Sequence, residues 1–166
     1  GLQLSTATLA RHEALALSFR VRNTGARAGR ETAQGYLSRT DSSAHQPVRT
    51  LAGFAGVELA PGEEKTVRIV VPRTAFECWD AGRGRFAVEA GPCEVCVGPD
   101  SRTLPLRAAL TVQGDTLLLP HVHSAAGPYG HFRGNAFPDE AFEELLGRRL
   151  PCPNRAPARG SYGPDT

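Results

Sequence analysis

The sequence predicts an all-β chain that folds as an antiparallel sandwich or barrel. Apolar and polar side chains alternate in several short stretches, which is the pattern of strands with one buried face. Turns rich in glycine and proline separate these stretches, and no segment before residue 138 has a helical period. About seven strands within about 110 residues is the size of an immunoglobulin-like sandwich.

The first clear strand spans residues 14–22, and Asn23-Thr24-Gly25 ends it with residues that favour turns. One side of this strand is apolar and is formed by Leu15, Leu17, Phe19 and Val21. The same period of two predicts strands at Leu2–Leu9, Thr32–Leu37, Phe54–Leu59, Lys65–Val71, Arg85–Glu89, Cys93–Val97 and Leu104–Val112.

The chain changes character after Gln113. Residues 114–134 are rich in glycine, proline and alanine and have weak periodicity, so we expect an extended linker. From Pro151 onward the composition predicts an irregular tail that lies free or across a partner. We therefore divide the chain into a β-sandwich at 1–112 and a linker, one short helix and an irregular tail at 113–166.

The helix is predicted at about residues 138–147. Pro138 suits a first helical position, and Gly147 suits the end of a helix. One face is apolar and carries Ala141, Phe142, Leu145 and Leu146. A helix this short is not stable alone, so we expect it to dock on another surface.

The spacing Cys93-x-x-Cys96 also occurs in zinc knuckles and thiol oxidoreductases. On a strand, however, residues three apart point to opposite faces, so these thiols cannot bind one zinc ion or form a disulfide with each other. Cys78 and Cys152 show no second pair of this kind. The pattern therefore favours small apolar core residues over a metal or redox site.

Composition and charge exclude several function classes. A net charge of +2 gives no basis for binding nucleic acid or an anionic membrane. No apolar run is long enough to span a bilayer, and no secretory leader is visible. The sequence has no methionine, even at position 1, so we expect a piece of a longer polypeptide. Unpaired cysteines favour a reducing compartment, so we expect a cytoplasmic location.

Several short motifs follow one another in residues 21–102. They are Val21-Arg22-Asn23-Thr24-Gly25, Gln34-Gly35-Tyr36-Leu37, Pro47–Phe54, Val57–Glu63, Trp79-Asp80, Val88–Gly91, Val95–Gly98 and Ser101-Arg102. In this order they resemble the fibronectin type III-like domain of glycoside hydrolase family 3 enzymes, which include β-glucosidases and β-xylosidases. Residues 142–151 are similar to a segment that follows this domain in some bacterial members. The resemblance implies a fibronectin type III-like antiparallel sandwich with an extended C-terminal tail that carries one short helix.

The resemblance also implies where the chemistry takes place. In that family the nucleophilic aspartate lies in a barrel domain and the acid/base lies in or near an α/β sandwich, and no segment of this chain matches the nucleophile motif. The chain is therefore expected to be a non-catalytic accessory domain that packs on and stabilises the catalytic barrel and α/β domains of the same polypeptide. We predict no catalytic, cofactor-binding or metal-binding residue here, and hydrolysis only by the longer polypeptide.

The predicted docking patch combines two parts of the chain and consists of Pro47, Val48, Arg49, Phe54, Phe142 and Leu145. The loop from Ser38 to Thr50 is long for a hairpin connection, and in relatives the matching loop can lie near the catalytic domains. His45, Gln46 and Arg49 are therefore candidates for contacts there. The alternative is a mobile surface loop.

The other hypothesis is an independent carbohydrate-binding or protein-interaction module, with a β-linked saccharide nearby. Such modules present coplanar exposed aromatic rings, whereas aromatic residues make up 7% of this chain and most fall at predicted inward positions. The exposed candidates are Tyr129, His131 and Phe132 in the linker. For Trp79 the alternatives are packing, in the core or between domains, and sugar stacking.

His121, His123 and His131 raise the alternative of a metal site. In an extended segment His121 and His123 lie on one side, as two ligands of one ion would. No carboxylate or thiol lies close by in the sequence to complete the set. Histidines of a polar linker, or histidines that contact a neighbouring domain, are the favoured interpretation.

Overall fold

The computed structural model describes residues 1–131 and 137–150. The predicted irregular tail from Pro151, together with Phe132 and Cys152, lies outside the described residues. Within them the strands are β1 (Gln3–Leu4), β2 (Thr8–Leu9), β3 (Leu15–Arg22), β4 (Gly29–Ser38), β5 (Thr50–Leu59), β6 (Glu64–Val71), β7 (Glu77–Asp80), β8 (Arg85–Val88), β9 (Gly91–Gly98) and β10 (Leu106–Val112). The α-helices are α1 (Pro128–His131) and α2 (Asp139–Leu146), and short 3₁₀ helices span Arg73–Phe76 and His121–His123.

Two sheets face each other across one hydrophobic core. The first has the strand order β1-β3-β6, and the second has the order β2-β10-β9-β4-β5. All pairings between these strands are antiparallel except that of β10 with β2. Strands β7 and β8 form a separate two-stranded hairpin. The predicted all-β sandwich with a short helix is confirmed.

The alternating pattern explains the core. On β3 the buried side chains are Leu15, Leu17 and Phe19, and on β6 they are Val67, Ile69 and Val71. The facing sheet contributes Ala33, Leu37, Cys93, Val95, Val97, Leu110 and Val112 to the same cluster. Each Å² of apolar surface removed from water stabilises the fold by about 25 cal/mol, so this hydrophobic core is the main source of folding free energy.

The predicted first strand, Leu2–Leu9, is wrong as a single element. It is two short strands, because the chain crosses from one sheet to the other between them. Leu4 on β1 pairs with Leu17 in the first sheet, whereas Leu9 on β2 pairs with Val112 in the second. The period of two changes phase at the crossing, since Leu4 lies at an even position and Leu9 at an odd one, although both side chains pack in the same core.

The predicted extended linker is also wrong for its described part. Residues 114–131 contain a 3₁₀ helix and α1, and Leu117 and Val122 are buried. Isolated bridges join Asp115 to Glu89 and Ser124 to Ala44. This segment therefore packs on the sandwich.

The C-terminal helix α2 is one residue shorter at its start than predicted. Pro138 has an extended ψ of 135° and is the N-cap, so the helix begins at Asp139. Gly147 ends it with a φ of 66°, in the left-handed region that favours glycine. Among the described helices, none is long and apolar enough to cross a membrane.

Candidate interaction surface

The outer face of the five-stranded sheet displays apolar side chains along its edge strand. Ala55 and Val57 of β5 pack against the core, so Phe54, which directly precedes Ala55, points outward and is 69% exposed. Leu51 and Val48 are also exposed, and Val48 reaches 76%. We call Val48, Leu51 and Phe54 the outer-face patch.

A β-bulge explains why Leu51 and Phe54 share a face although they are three residues apart. Leu51 pairs with Tyr36 and Phe54 pairs with Gln34, and the register shifts between these two pairs. Tyr36 and Gln34 lie on the same face of β4, and the Tyr36 hydroxyl donates to Gln34 Oε1 at 2.5 Å. The extra residue on β5 therefore turns both apolar side chains toward the outside.

The loop from Ser38 to Thr50, which leads into this patch, is anchored to the sandwich by Glu89. That side chain is only 7% exposed. Its Oε2 accepts from Ser42 Oγ at 2.6 Å, and its Oε1 accepts from the Ser43 N–H at 2.8 Å and from the Ser43 hydroxyl. Burial raises the pKa of Glu89, but these hydrogen bonds outweigh it, so the net pKa lies below the ordinary value.

A second buried carboxylate anchors the segment after β10. Asp80 is fully buried, and its Oδ2 lies 2.5 Å from Arg83 Nη1 and 3.2 Å from the donating Leu118 N–H. Arg83 Nη1 also donates to the Thr116 carbonyl at 2.7 Å. Burial raises the pKa of Asp80, and the bonds from Arg83 and Leu118 lower it by more, so its net pKa is below the ordinary value. Neighbouring Leu117 is buried with Ala44 and Ala87.

The hairpin of β7 and β8 displays the remaining large aromatic pair. Trp79 is 52% exposed and pairs with Phe86, which is also exposed. The alternative that Trp79 packs in the core is therefore wrong. The prediction that most aromatic residues face inward is wrong as well. The ring centroids lie 5.3 Å apart with an angle of 77° between the planes. This edge-to-face pair is not a flat platform for consecutive sugar rings.

Cys93 and Cys96, the two cysteines of the Cys-x-x-Cys spacing, lie on opposite faces of β9, as predicted. Cys93 belongs to the main core, whereas Cys96 packs on the outer side with Tyr36 and Leu104. Burial raises the pKa of Cys96 to about 11, and a hydrogen bond to Glu94 adds to this shift. Burial also raises the pKa of Cys93. In the described part of the chain no group of three metal-binding side chains comes together.

The histidine pair lies on a 3₁₀ helix, so the expected extended arrangement of His121 and His123 is wrong. His121 Nδ1 lies 3.8 Å from Glu144 Oε2 of α2, which packs against this 3₁₀ helix. The side chains of Tyr129 and His131 lie outside the described residues, as does Phe132.

The six predicted interface residues lie on the loop before β5, on β5 itself and on α2. Pro47 is exposed, and Arg49 is partly buried and donates from Nη1 to the Ser101 carbonyl at 3.3 Å. On α2, Phe142 is exposed and Leu145 is partly buried. The sequence reasoning missed Leu51, because it did not include the bulge, and it missed Glu89 and Asp80 as anchoring residues.

Comparison with known proteins identifies the domain type. Residues 31–101 match the family model of the fibronectin type III-like domain. The chain is 37% identical over 102 residues to the probable β-glucosidase H of Aspergillus clavatus, covering 61% of this chain and 12% of that protein. It is 35% identical over 96 residues to the thermostable β-glucosidase B of Acetivibrio thermocellus, covering 58% of this chain and 13% of that protein.

Solved structures agree with these relatives. The β-glucosidase of Erythrobacter marinus has a TM-score of 0.62 at 33% identity and covers 68% of this chain and 15% of that one. The family 3 β-glucosidase of Bifidobacterium adolescentis has a TM-score of 0.64 at 28% identity and covers 72% of this chain and 17% of that one. The chain thus spans only 12–13% of the length of these curated relatives. Residues 31–101 are therefore similar to the fibronectin type III-like domain, and the named relatives that match this part of the chain are β-glucosidases, one of them a family 3 enzyme.

Proposed function

We propose that this chain is the non-catalytic accessory domain of a family 3 glycoside hydrolase of the β-glucosidase type. In this role it packs on the catalytic barrel and α/β domains of the same polypeptide and stabilises them. The support comes from relatives named as β-glucosidases, in which the matched region is a small part of the chain.

The observation that carries the docking proposal is the outer-face patch. Val48 and Phe54 are among the most exposed apolar side chains of the described residues, yet they lie on an anchored loop and a paired strand. Exposed apolar surface on an ordered element marks a surface that another protein part covers. Pro47, Arg49 and the α2 residues complete the proposed contact, which at the usual size between domains buries roughly 600–1,500 Å².

The chemistry of the chain supports a role without catalysis. Retaining glycoside hydrolysis needs two carboxyl groups about 5 Å apart, one of them free to act as a nucleophile. The buried carboxylates of the described residues, Asp80 and Glu89, are both taken up by hydrogen bonds to their own domain. Hydrolysis is therefore assigned to the longer polypeptide.

The test compares the 166-residue chain with the full gene product that contains it. We expect the gene product to hydrolyse a nitrophenyl β-glucoside and the chain alone to show no turnover. Phe54→Ala in the gene product should shorten the half-life of thermal inactivation at least twofold. Val70→Ala is the matched control, because Val70 is 57% exposed on the outer side of the other sheet.

Two results would overturn the proposal. One is hydrolysis by the isolated chain. The other is an equal half-life for the Phe54 and Val70 variants, since the outer-face patch would then have no special role.

A sugar-binding module is the second candidate, and exposed Trp79 is the observation that favours it. Because the Phe86 ring stands at 77° to it, the indole ring has no coplanar aromatic partner and would stack on one pyranose ring. Affinity electrophoresis of the 166-residue chain in soluble β-glucan tests this. Retardation that Trp79→Ala removes would favour the binding module over the accessory role.

A further inference from the structure

We propose that Glu89 is a positioning residue that holds the loop from Arg39 to Arg49 in one conformation. In this conformation the loop presents Pro47 and Val48 to the catalytic domains of the same polypeptide. This inference rests on the proposed function. It assigns a specific interdomain role to a buried side chain that lies outside the patch itself.

The carboxylate of Glu89 contacts one loop. Its two oxygens accept the Ser42 hydroxyl, the Ser43 N–H and the Ser43 hydroxyl. The Glu89 main-chain carbonyl accepts Arg39 Nη2 at 2.7 Å, so the same residue also fixes the start of the loop. A carboxylate removed from water is stable only when such donors replace its hydration.

The hydrogen bonds continue from Glu89 toward the exposed end of the loop. Ser42 Oγ, which donates to Glu89, accepts from the Ala44 N–H at 3.2 Å and from Gln46 Nε2 at 3.1 Å. Gln46 precedes Pro47 in the chain. The direction of the loop at Pro47 is therefore set by a hydrogen-bond network that begins at the buried carboxylate.

Two further hydrogen bonds, which are not part of this network, also fix the loop. The Ala125 N–H donates to the Ser43 carbonyl at 2.7 Å, and Ser38 Oγ donates to the Val48 carbonyl at 2.8 Å. Despite these bonds Val48 remains 76% exposed, and His45 and Pro47 are exposed as well. The loop buries the small side chain of Ala44 but is ordered with Pro47 and Val48 still exposed, and a fixed shape of this kind reduces the entropy lost on docking.

The first experiment measures amide hydrogen exchange in the 166-residue chain. Glu89→Ala should speed exchange of the Ser43 and Ala44 amides at least tenfold and leave the Leu118 amide unchanged. Asp80→Asn is the matched control, since it removes the other buried carboxylate and should affect Leu118 first. Equal exchange of Ser43 in wild type and Glu89→Ala would overturn the inference.

The second experiment measures hydroxyl-radical labelling of Val48 in the gene product and in the isolated chain. We expect wild-type Val48 to be protected in the gene product, and Glu89→Ala to lose at least half of that protection. Glu89→Gln keeps one acceptor oxygen and the side-chain shape, so it should retain more protection than Glu89→Ala. It also serves as the test variant if Glu89→Ala does not fold.

The outcomes separate the two claims. If wild-type Val48 and Phe54 are labelled equally in the chain and the gene product, the proposed function fails. If both are protected in wild type and remain equally protected in the folded Glu89 variants, the docking proposal stands and only the positioning role of Glu89 is wrong.

Discussion

Two buried carboxylates fix two neighbouring segments of this domain, and the segments differ in how much of their apolar surface is buried: Leu117 is buried beside exposed Leu118 in one, whereas the other buries only the small Ala44 and exposes Val48. Asp80 accepts from the Leu118 N–H and pairs with Arg83, which donates to the Thr116 carbonyl, and Leu117 of this segment is buried with Ala44 and Ala87. Glu89 binds Ser42 and Ser43 in the loop between β4 and β5, and Val48 in the same loop remains exposed.

A segment of the backbone can be ordered by hydrogen bonds whether or not its large apolar side chains are buried. In the segment held by Asp80, hydrogen bonds and apolar contacts act together, so the order contributes to the stability of the domain itself. In the loop held by Glu89, the hydrogen bonds order a stretch that buries the small Ala44 side chain but leaves the larger Val48 in water. The first arrangement contributes to folding, and the second fits the contact outside this domain that we propose.

The largest expected effect tests the buried segment. Leu117→Ala should lower the free energy of unfolding by about 2–4 kcal/mol, because it removes a buried side chain and leaves a cavity. Urea denaturation of the 166-residue chain measures this. A loss below about 0.5 kcal/mol, the usual range of a surface site, would mean that the segment is not part of the folded core and would remove the contrast with the loop.

Acid should affect both segments through their carboxylates. The pKa values of Asp80 and Glu89 are lower in the folded state than their ordinary values. Each group therefore stabilises the fold above the unfolded pKa, near 4, and this contribution is lost as the pH falls through the folded pKa. The urea midpoint of wild type should not depend on these two groups between pH 7 and about pH 5. It should decrease when the pH is lowered below about 4.

The variants sharpen this pH comparison. Asp80→Asn and Glu89→Gln should each show a weaker decline of the urea midpoint in acid, since one titrating group with a lowered pKa is gone. If both variants follow the wild-type curve, with the same slope below about pH 4, neither carboxylate stabilises the segment that it contacts.

The smallest expected effect concerns the exposed end of the loop. Val48→Ala should change the free energy of unfolding of the 166-residue chain by no more than about 0.5 kcal/mol, because the side chain is mostly in water. The same urea experiment measures it. A loss of about 1 kcal/mol or more would show that Val48 supports the fold, and its exposure would then not mark an interface.

Alternation along the sequence was sufficient to predict the sandwich and most of its strands, because a half-buried strand places every second side chain in the core. It also placed Cys93 and Cys96 on opposite faces. The same rule contained signals that the sequence reasoning did not use. Trp79 and Asp80 are adjacent on a strand, so only one of them can face inward, and Asp80 does. Glu89 follows Ala87 at a spacing of two and shares its inward side.

Other features depend on contacts between distant parts of the chain, so no local pattern predicts them. The crossing between β1 and β2 depends on which sheet each short strand meets. The order of residues 114–131 depends on hydrogen bonds with the β7–β8 hairpin, where Arg83 donates and Asp80 accepts, and on the bridge from Ser124 to Ala44. The bulge that turns Leu51 outward depends on the pairing of β5 with β4.

The most direct test of the docking claim is hydroxyl-radical labelling of Phe54 and Val70 in the full gene product and in the isolated chain. Both side chains are well exposed in the domain, on opposite outer faces. We predict that Phe54 is labelled at least threefold more slowly in the gene product, while the rate at Val70 is unchanged. Equal rates at Phe54 in the two proteins would contradict the claim that this face is covered by the catalytic domains.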